Sequence, residues 1–354
     1  MEKIHTYFLG GSSPIGFRTP FGEVLSDTSY HTFIIKGGPG TGKSSFMKRI
    51  AGAFDKEDRD IYLCSSDPSS VDAVVIKEHK AIIVDGTAPH IFEPNFPGAS
   101  DEIINFGDCW NGDMLRSQKD EIIAAFGDYS QYHVRCRRYL SAAFSVMGDT
   151  KHIGEAALDA EKLEGFIKRL AKKLLPPKSA EQGKLFFRQI SAVTPEGYIS
   201  MPIVGDEIFL LNDDYYAGSD HFLRSFADVV RSRGLDCEIS VCYLFDGEHF
   251  EHLRIPSLGI SFITSSPVSK VSVEVKKPIN FMRFYKKEII SLKRARLKFN
   301  AEASRDLIRE AVFSLKYAKR AHDKVEEFYI SAVDFRKTDA LFEKYADKIR
   351  TMNL

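Results

Sequence analysis

The chain has 354 residues, 44% hydrophobic and 28% charged, the make-up of an ordinary soluble globular protein. Its 49 basic and 49 acidic side chains cancel, which removes any global electrostatic argument for nucleic acid or an acidic membrane surface. Five cysteines, odd in number and with no C-x-x-C pair, argue against both a disulfide framework and a zinc knuckle, and the length exceeds what one core usually fills, so two domains are expected.

The segment Met1–Tyr7 lacks the apolar stretch of a secretory signal, and no later run has the length to span a bilayer. A cytoplasmic protein with no membrane partner is the expectation. The first strong signal is the apolar run Phe33-Ile34-Ile35, followed directly by Gly37-Gly38-Pro39-Gly40-Thr41-Gly42-Lys43-Ser44-Ser45. This fits G-x-x-x-x-G-K-[ST], in which glycines let backbone N–H groups curl around an anion at a helix N-terminus. In that pattern Lys43 reaches the β- and γ-phosphates and Ser44 holds Mg²⁺. Phe46, Met47, Ile50, Ala51 and Phe54 recur at helical spacing after the loop, so strand, loop and helix stand in the right order. Residues 37–45 are therefore the candidate nucleotide-binding residues; a plain strand-to-helix turn is the bland alternative.

Such a loop needs a carboxylate for the Mg²⁺ shell at the end of an apolar strand, and Ala81-Ile82-Ile83-Val84-Asp85 supplies it. Asp85 is the expected second metal ligand beside Ser44, unless it only caps the next turn. Asp67, in Cys64-Ser65-Ser66-Asp67-Pro68, ends the preceding strand and is a third catalytic candidate, binding Mg²⁺ through water or activating an acceptor hydroxyl. Where many hydrolases carry a water-orienting glutamate beside the metal-binding aspartate, this chain has Gly86. His90, Glu93 and Asp67 are the available substitutes. Residues 1–113 form the expected core.

From about Met114 to Leu175 the composition turns to helix formers, closed by Pro176-Pro177, and Gly148 and Gly154 mark a turn between two helices. Residues 114–177 thus read as a helical hairpin. Residues 184–280 realign with the first core: Phe33–Met47 lies without gaps on Phe209–Leu223, Ile61–Cys64 on Ile239–Cys242, and Ala81–Thr87 on Ile260–Ser266. In that register Lys43 becomes Ser219, Ser44 becomes Asp220 and Asp85 becomes Thr264. Asp213, Asp214 and Asp220 then crowd the place of a triphosphate and repel it. The second copy is expected to be degenerate. Residues 281–354 form a long helical arm, with no glycine or proline between Phe281 and Met352. Its opening face is basic and can track a phosphate backbone, although most such runs are simply solvated and no aromatic stacking platform accompanies this one.

The segments Lys36–Ser44, Cys64–Asp67 and Val84–His90, with the duplication, resemble a bacterial family of tandem P-loop ATPases over essentially the whole chain. The resemblance implies an α/β fold of two P-loop cores with mostly parallel sheets, each followed by a helical arm, and ATP binding with hydrolysis. Members commonly keep a second intact phosphate loop, and this chain departs from them at Ser219 and Asp220. The leading expectation is a slow Mg²⁺-dependent ATPase whose nucleotide state moves the arms. A small-molecule or nucleotide kinase is the first alternative. A nucleotide-gated scaffold, holding a protein or a nucleic acid through its arms, is the second.

Overall fold

Alternation in His31–Lys36 sends Phe33 and Ile35 to one side and Ile34 to the other, and all three are buried. A strand covered on both faces results. The computed structural model of the protein describes residues 4–202, 205–271, 275 and 278–352. Its first half contains strands β1 (Ile4–Phe8), β2 (Gly11–Ser13) and β3 (Gly16–Arg18), helix α1 (Phe21–Leu25), β4 (His31–Lys36), α2 (Lys43–Ala53), β5 (Arg59–Leu63), β6 (Val71–Ile76), β7 (Ala81–Asp85) and β8 (Asp101–Asn105). Helices α3 (Gly112–Ser117), α4 (Lys119–Ala157) and α5 (Ala160–Leu174) follow. The second half contains β9 (Leu185–Phe187), the hairpin β10 (Ser191–Thr194) and β11 (Gly197–Ser200), β12 (Glu207–Asn212), α6 (Ala217–Arg231), β13 (Cys237–Cys242), β14 (His249–Ile255), β15 (Ile260–Ser265) and β16 (Ile279–Asn280). It ends in α7 (Lys287–Leu292), α8 (Arg294–Ala332) and α9 (Phe335–Thr351).

The first sheet has the order β1-β5-β6-β7-β4-β8 and the second β9-β13-β14-β15-β12-β16. In each, only the third strand runs against its neighbours, so the fold is α/β with mixed, mostly parallel sheets. Register agrees between the halves as well: Ile35 pairs with Asp85, and Leu211 with Thr264. No described helix is long and apolar enough to cross a membrane.

The arms depart from the expected hairpin. Helix α4 runs unbroken through Gly148 and Gly154 for 39 residues, and α8 has the same length. An interior glycine costs a helix only about 1 kcal/mol. Here Leu140, Ala143 and Met147 bury against Ile308, Ala311 and Leu315 of α8, which outweighs that cost. Gly154 serves a close approach instead, since a Cβ there would lie 2.7 Å from the Tyr215 carbonyl oxygen. The break comes at Leu158, and Asp159 caps α5 by accepting the Lys162 N–H at 3.1 Å. The second arm breaks in the same manner at Val333, with Asp334 capping α9 through the Arg336 N–H at 3.1 Å.

The two long helices lie antiparallel, as contacts of Tyr132 with Tyr317 and of Asn300 with Thr150 require. Each spans about 58 Å at 1.5 Å per residue, so each arm starts at its own core and ends at the other. Backbone bonds fasten both junctions: Asn111 N–H to Ala332 O at 2.9 Å and Asp334 N–H to Cys109 O at 2.7 Å at one end, Lys286 N–H to Ala157 O and Asp159 N–H to Phe284 O, both 2.8 Å, at the other. The terminal helices are consequently exchanged. Tyr345, Ala346 and Ile349 of α9 complete the first core against Phe33, Phe46 and Met47, while Leu163, Ile167 and Ala171 of α5 complete the second against Phe222 and Phe226.

Ile349 is fully buried in the first core although it belongs to the second arm. Ile349→Ala should cost about 2–5 kcal/mol, read as a lower urea midpoint of unfolding.

Candidate functional site

Strand β4 delivers the chain to the loop Gly37–Gly42, and α2 carries it away from Lys43. Gly40 and Gly42 have φ of +66° and +89°, a region that side chains with a Cβ rarely enter. A Cβ on Gly37 would stand 2.7 Å from that of Phe106. The loop's curl thus depends on its glycines, and it aims the first N–H groups of α2, which no helical carbonyl satisfies, into the space above. Lys43 Nζ donates to Gly38 O at 2.7 Å and lies 3.6 Å from Asp85 Oδ2. Asp85 ends β7 beside β4, and its other oxygen accepts the Thr87 N–H at 3.0 Å and the Thr87 hydroxyl at 2.6 Å. Ser44 Oγ accepts the Val71 N–H at 2.9 Å and keeps a second lone pair.

These groups line a cleft of about 620 Å³ that also takes in Ser45, Asp67, Asp72 and Thr87–His90. Its opposite wall is helical: Phe126, Tyr129 and His133 from α4, and Lys319, His322, Glu326 and Tyr329 from α8. The loop touches that wall directly. A Cβ on Gly38 would run into the Tyr329 ring, and one on Gly40 would stand 2.8 Å from Glu326 O. Burial lowers both imidazoles of the wall, His133 to about 4 with His322 as a second cause, which leaves them neutral at pH 7. Tyr129 is pushed up to about 12 by burial and by Cys64 and Asp72.

Asp67 is placed in the cleft but tied to the arm. Its carboxylate accepts hydrogen bonds from the Ser69 and Ser70 hydroxyls at 2.7 and 3.0 Å and pairs with Lys319 at 3.2 Å. Burial works to raise it, yet the Ser69 bond and Lys319 outweigh that and hold it below the usual carboxylate range. Glu93 is drawn away by Lys36, whose Nζ donates to Glu93 Oε1 and Phe92 O at 2.7 Å and to Gly86 O at 2.9 Å. Gly86 has no room for a larger residue, because a Cβ would run into Ile34 and lie 3.1 Å from Phe92 O. His90 does face the site. Its Nδ1 is 3.0 Å from Asp85 O and its Nε2 is 3.3 Å from a buried Asp72 carboxylate. Arg188, Arg224, Arg231 and Arg233 of the second half do not border the cleft. Trp110 stands behind it, edge-on to Tyr329 at 5.6 Å.

Sequence reasoning missed Asp72 and the whole helical wall. Lys319, His322, Glu326 and Tyr329 do share one helix face by their spacing, the only sign available.

The corresponding loop of the second half, ahead of α6, is closed from within. Asp213 is buried and accepts N–H bonds from Ser219 at 2.7 Å and Tyr215 at 3.0 Å and the Tyr285 hydroxyl at 2.9 Å. Burial raises its carboxyl despite those bonds. Tyr285 in turn accepts the Gly218 N–H at 2.7 Å. Of the three carboxylates expected to crowd the loop, Asp220 points elsewhere, to Lys151 at 2.8 Å and Arg224 at 2.9 Å. Its position one turn into α6 carries it off the loop. Searches of protein-family models, of curated proteins and of solved structures return no match to this chain.

Burial alone would lower His90, but the Asp72 hydrogen bond and the charges of Asp72 and Asp85 raise it above its ordinary value of about 6.5. A folded value above the unfolded one adds stability that is complete below about 6.5 and lost as pH rises through the folded value. Asp72→Asn should move the His90 titration, followed by NMR of the imidazole, to below that of the free side chain and reverse the sign of this slope.

Proposed function

We propose that the protein binds ATP with Mg²⁺ at the Gly37–Ser44 loop, hydrolyses it slowly and passes the nucleotide state to its long helices. The observation that carries this reading is the convergence of a glycine-shaped loop, Lys43 and Asp85 at the carboxyl ends of adjacent parallel strands, under a wall formed by both arms. The donor set fits the group: Ser44 Oγ and Asp85 are hard oxygen ligands of the kind Mg²⁺ takes. When bound, Mg²⁺ supplies charge neutralisation on the phosphates.

The chain's own residues then have distinct tasks. Loop N–H groups and Lys43 bind and orient the phosphates, and Phe126, Tyr129 and Tyr329 exclude water. Asp72 and His90 form the pair able to hold or move a proton beside Asp85. Slowness follows from Gly86, where a water-orienting glutamate has no space. The equal strand order and register of the two halves support reading the second as a repeat that has lost its phosphate chemistry, and the five free cysteines suit a cytoplasmic setting. A kinase reading has one observation in its favour, the extension of the cleft past the loop to Tyr129 and His133, which leaves space for an acceptor.

The deciding experiment follows γ-labelled ATP with Mg²⁺ and a pool of cell metabolites. Label released as inorganic phosphate is expected, and Lys43→Ala should lower that turnover at least ~100-fold. Undiminished turnover in the variant would sink the reading, and label on a small molecule would replace it with a kinase.

A further inference from the structure

A second cavity, of about 370 Å³, lies where the two long helices pass the loop of the second half. It is bounded by Asp214, Tyr215 and Tyr216 of that loop, by Thr150 of α4 and by the first turns of α8. The place corresponds to that of the first cleft, but the chemistry is inverted. Seven and ten residues after their first residues, α4 carries Phe126 and Tyr129 whereas α8 carries Ala301 and Ser304, so small side chains open the space that aromatics fill in the first half.

Around this opening stand Arg294, Lys298 and Arg305, which share one face of α8 at helical spacing, and Lys270 from beyond β15. All four are exposed. Among the described residues Arg294, Arg305 and Lys270 have no ion pair, and Lys298 has only Glu302 at 4.0 Å. Three other cations of the same arm are paired: Arg296 with Asp149, Lys319 with Asp67 and Asp323, and Arg309 with Asp306. Among the described residues Asp214 is the one carboxylate lining the cavity. A concave site with a surplus of unpaired cations focuses potential on an anion, and guanidinium groups match phosphate oxygens in geometry.

We infer that this cavity binds a phosphate-bearing small molecule, its charge held by Arg294, Lys298 and Arg305 and its body against Tyr215. The N-terminus of α6 takes no part, because Asp213 and Tyr285 already satisfy it. The cations come from the arm instead of from the loop. Since the walls are α4 and α8, whose opposite ends wall the first cleft, the site belongs to the same pair of helices.

Calorimetric titration of inorganic pyrophosphate into the full chain carrying Lys43→Ala, which disables the first loop, tests the assignment independently of the ATPase reading. Saturable binding to one site is expected. Adding Arg294→Gln with Arg305→Gln should weaken it at least about tenfold, equal to ~1.4 kcal/mol. Both arginines are exposed, and an unchanged thermal midpoint confirms that the variant is folded. Ala301→Phe, which installs the first half's residue, should block binding without altering charge. No saturable binding, or an affinity that survives the arginine pair, would overturn the site.

Discussion

The antiparallel pairing of α4 with α8 governs the rest of the molecule. Two 39-residue helices, locked along Leu140, Ala143, Met147, Ile308, Ala311 and Leu315, fix the distance between the sheets and carry each arm to the far core. The exchange of α5 and α9 follows from it, because a helix that ends beside the other core can only bury its apolar face there. Both clefts follow too. A loop at the carboxyl end of an open α/β sheet faces solvent unless something covers it, and here the cover is supplied by the two helices that join the halves.

Within this shared frame the two loops solve one packing problem in opposite ways. In the first half the loop is Gly38 and the helix brings Tyr329; in the second the helix is Gly154 and the loop brings Tyr215. The Tyr329 ring closes on Gly38 and the Tyr215 backbone on Gly154, so helix and loop approach closely at both ends. The electrostatics differ in the same complementary way. The second loop satisfies its N–H groups with Asp213, an anion of its own, where the first has Gly37.

How much of this was legible in the sequence depends on the range over which each feature is encoded. The loop, its strand and its helix were legible because glycine spacing and apolar periodicity are local. The register between halves was legible because Asp85 and Thr264 hold equivalent places in an apolar frame, and the sheets pair them alike. The turn expected at Gly148 and Gly154 failed because a single glycine is a weak breaker, outweighed by burial along the helix pair. The destination of α9 could not be read at all, since the spacing of Tyr345, Ala346 and Ile349 announces an apolar face without naming what covers it. Asp72 was hidden for a related reason: one acid in an otherwise apolar strand, whose partner His90 lies on a distant loop.

The exchange of terminal helices also sets an order of events during synthesis. Strand β4 and helix α2 leave the ribosome early, yet their apolar face waits for Tyr345, Ala346 and Ile349, made some three hundred residues later. Domains usually fold as they emerge, amino-terminal first. Here the amino-terminal core stays open until the second sheet and its arm exist, whereas the second core already has α5 in hand when its own strands appear. The later half can therefore mature before the earlier one, and the loop at Gly37–Ser44 gains the α8 part of its helical cover only in a chain translated through Tyr329.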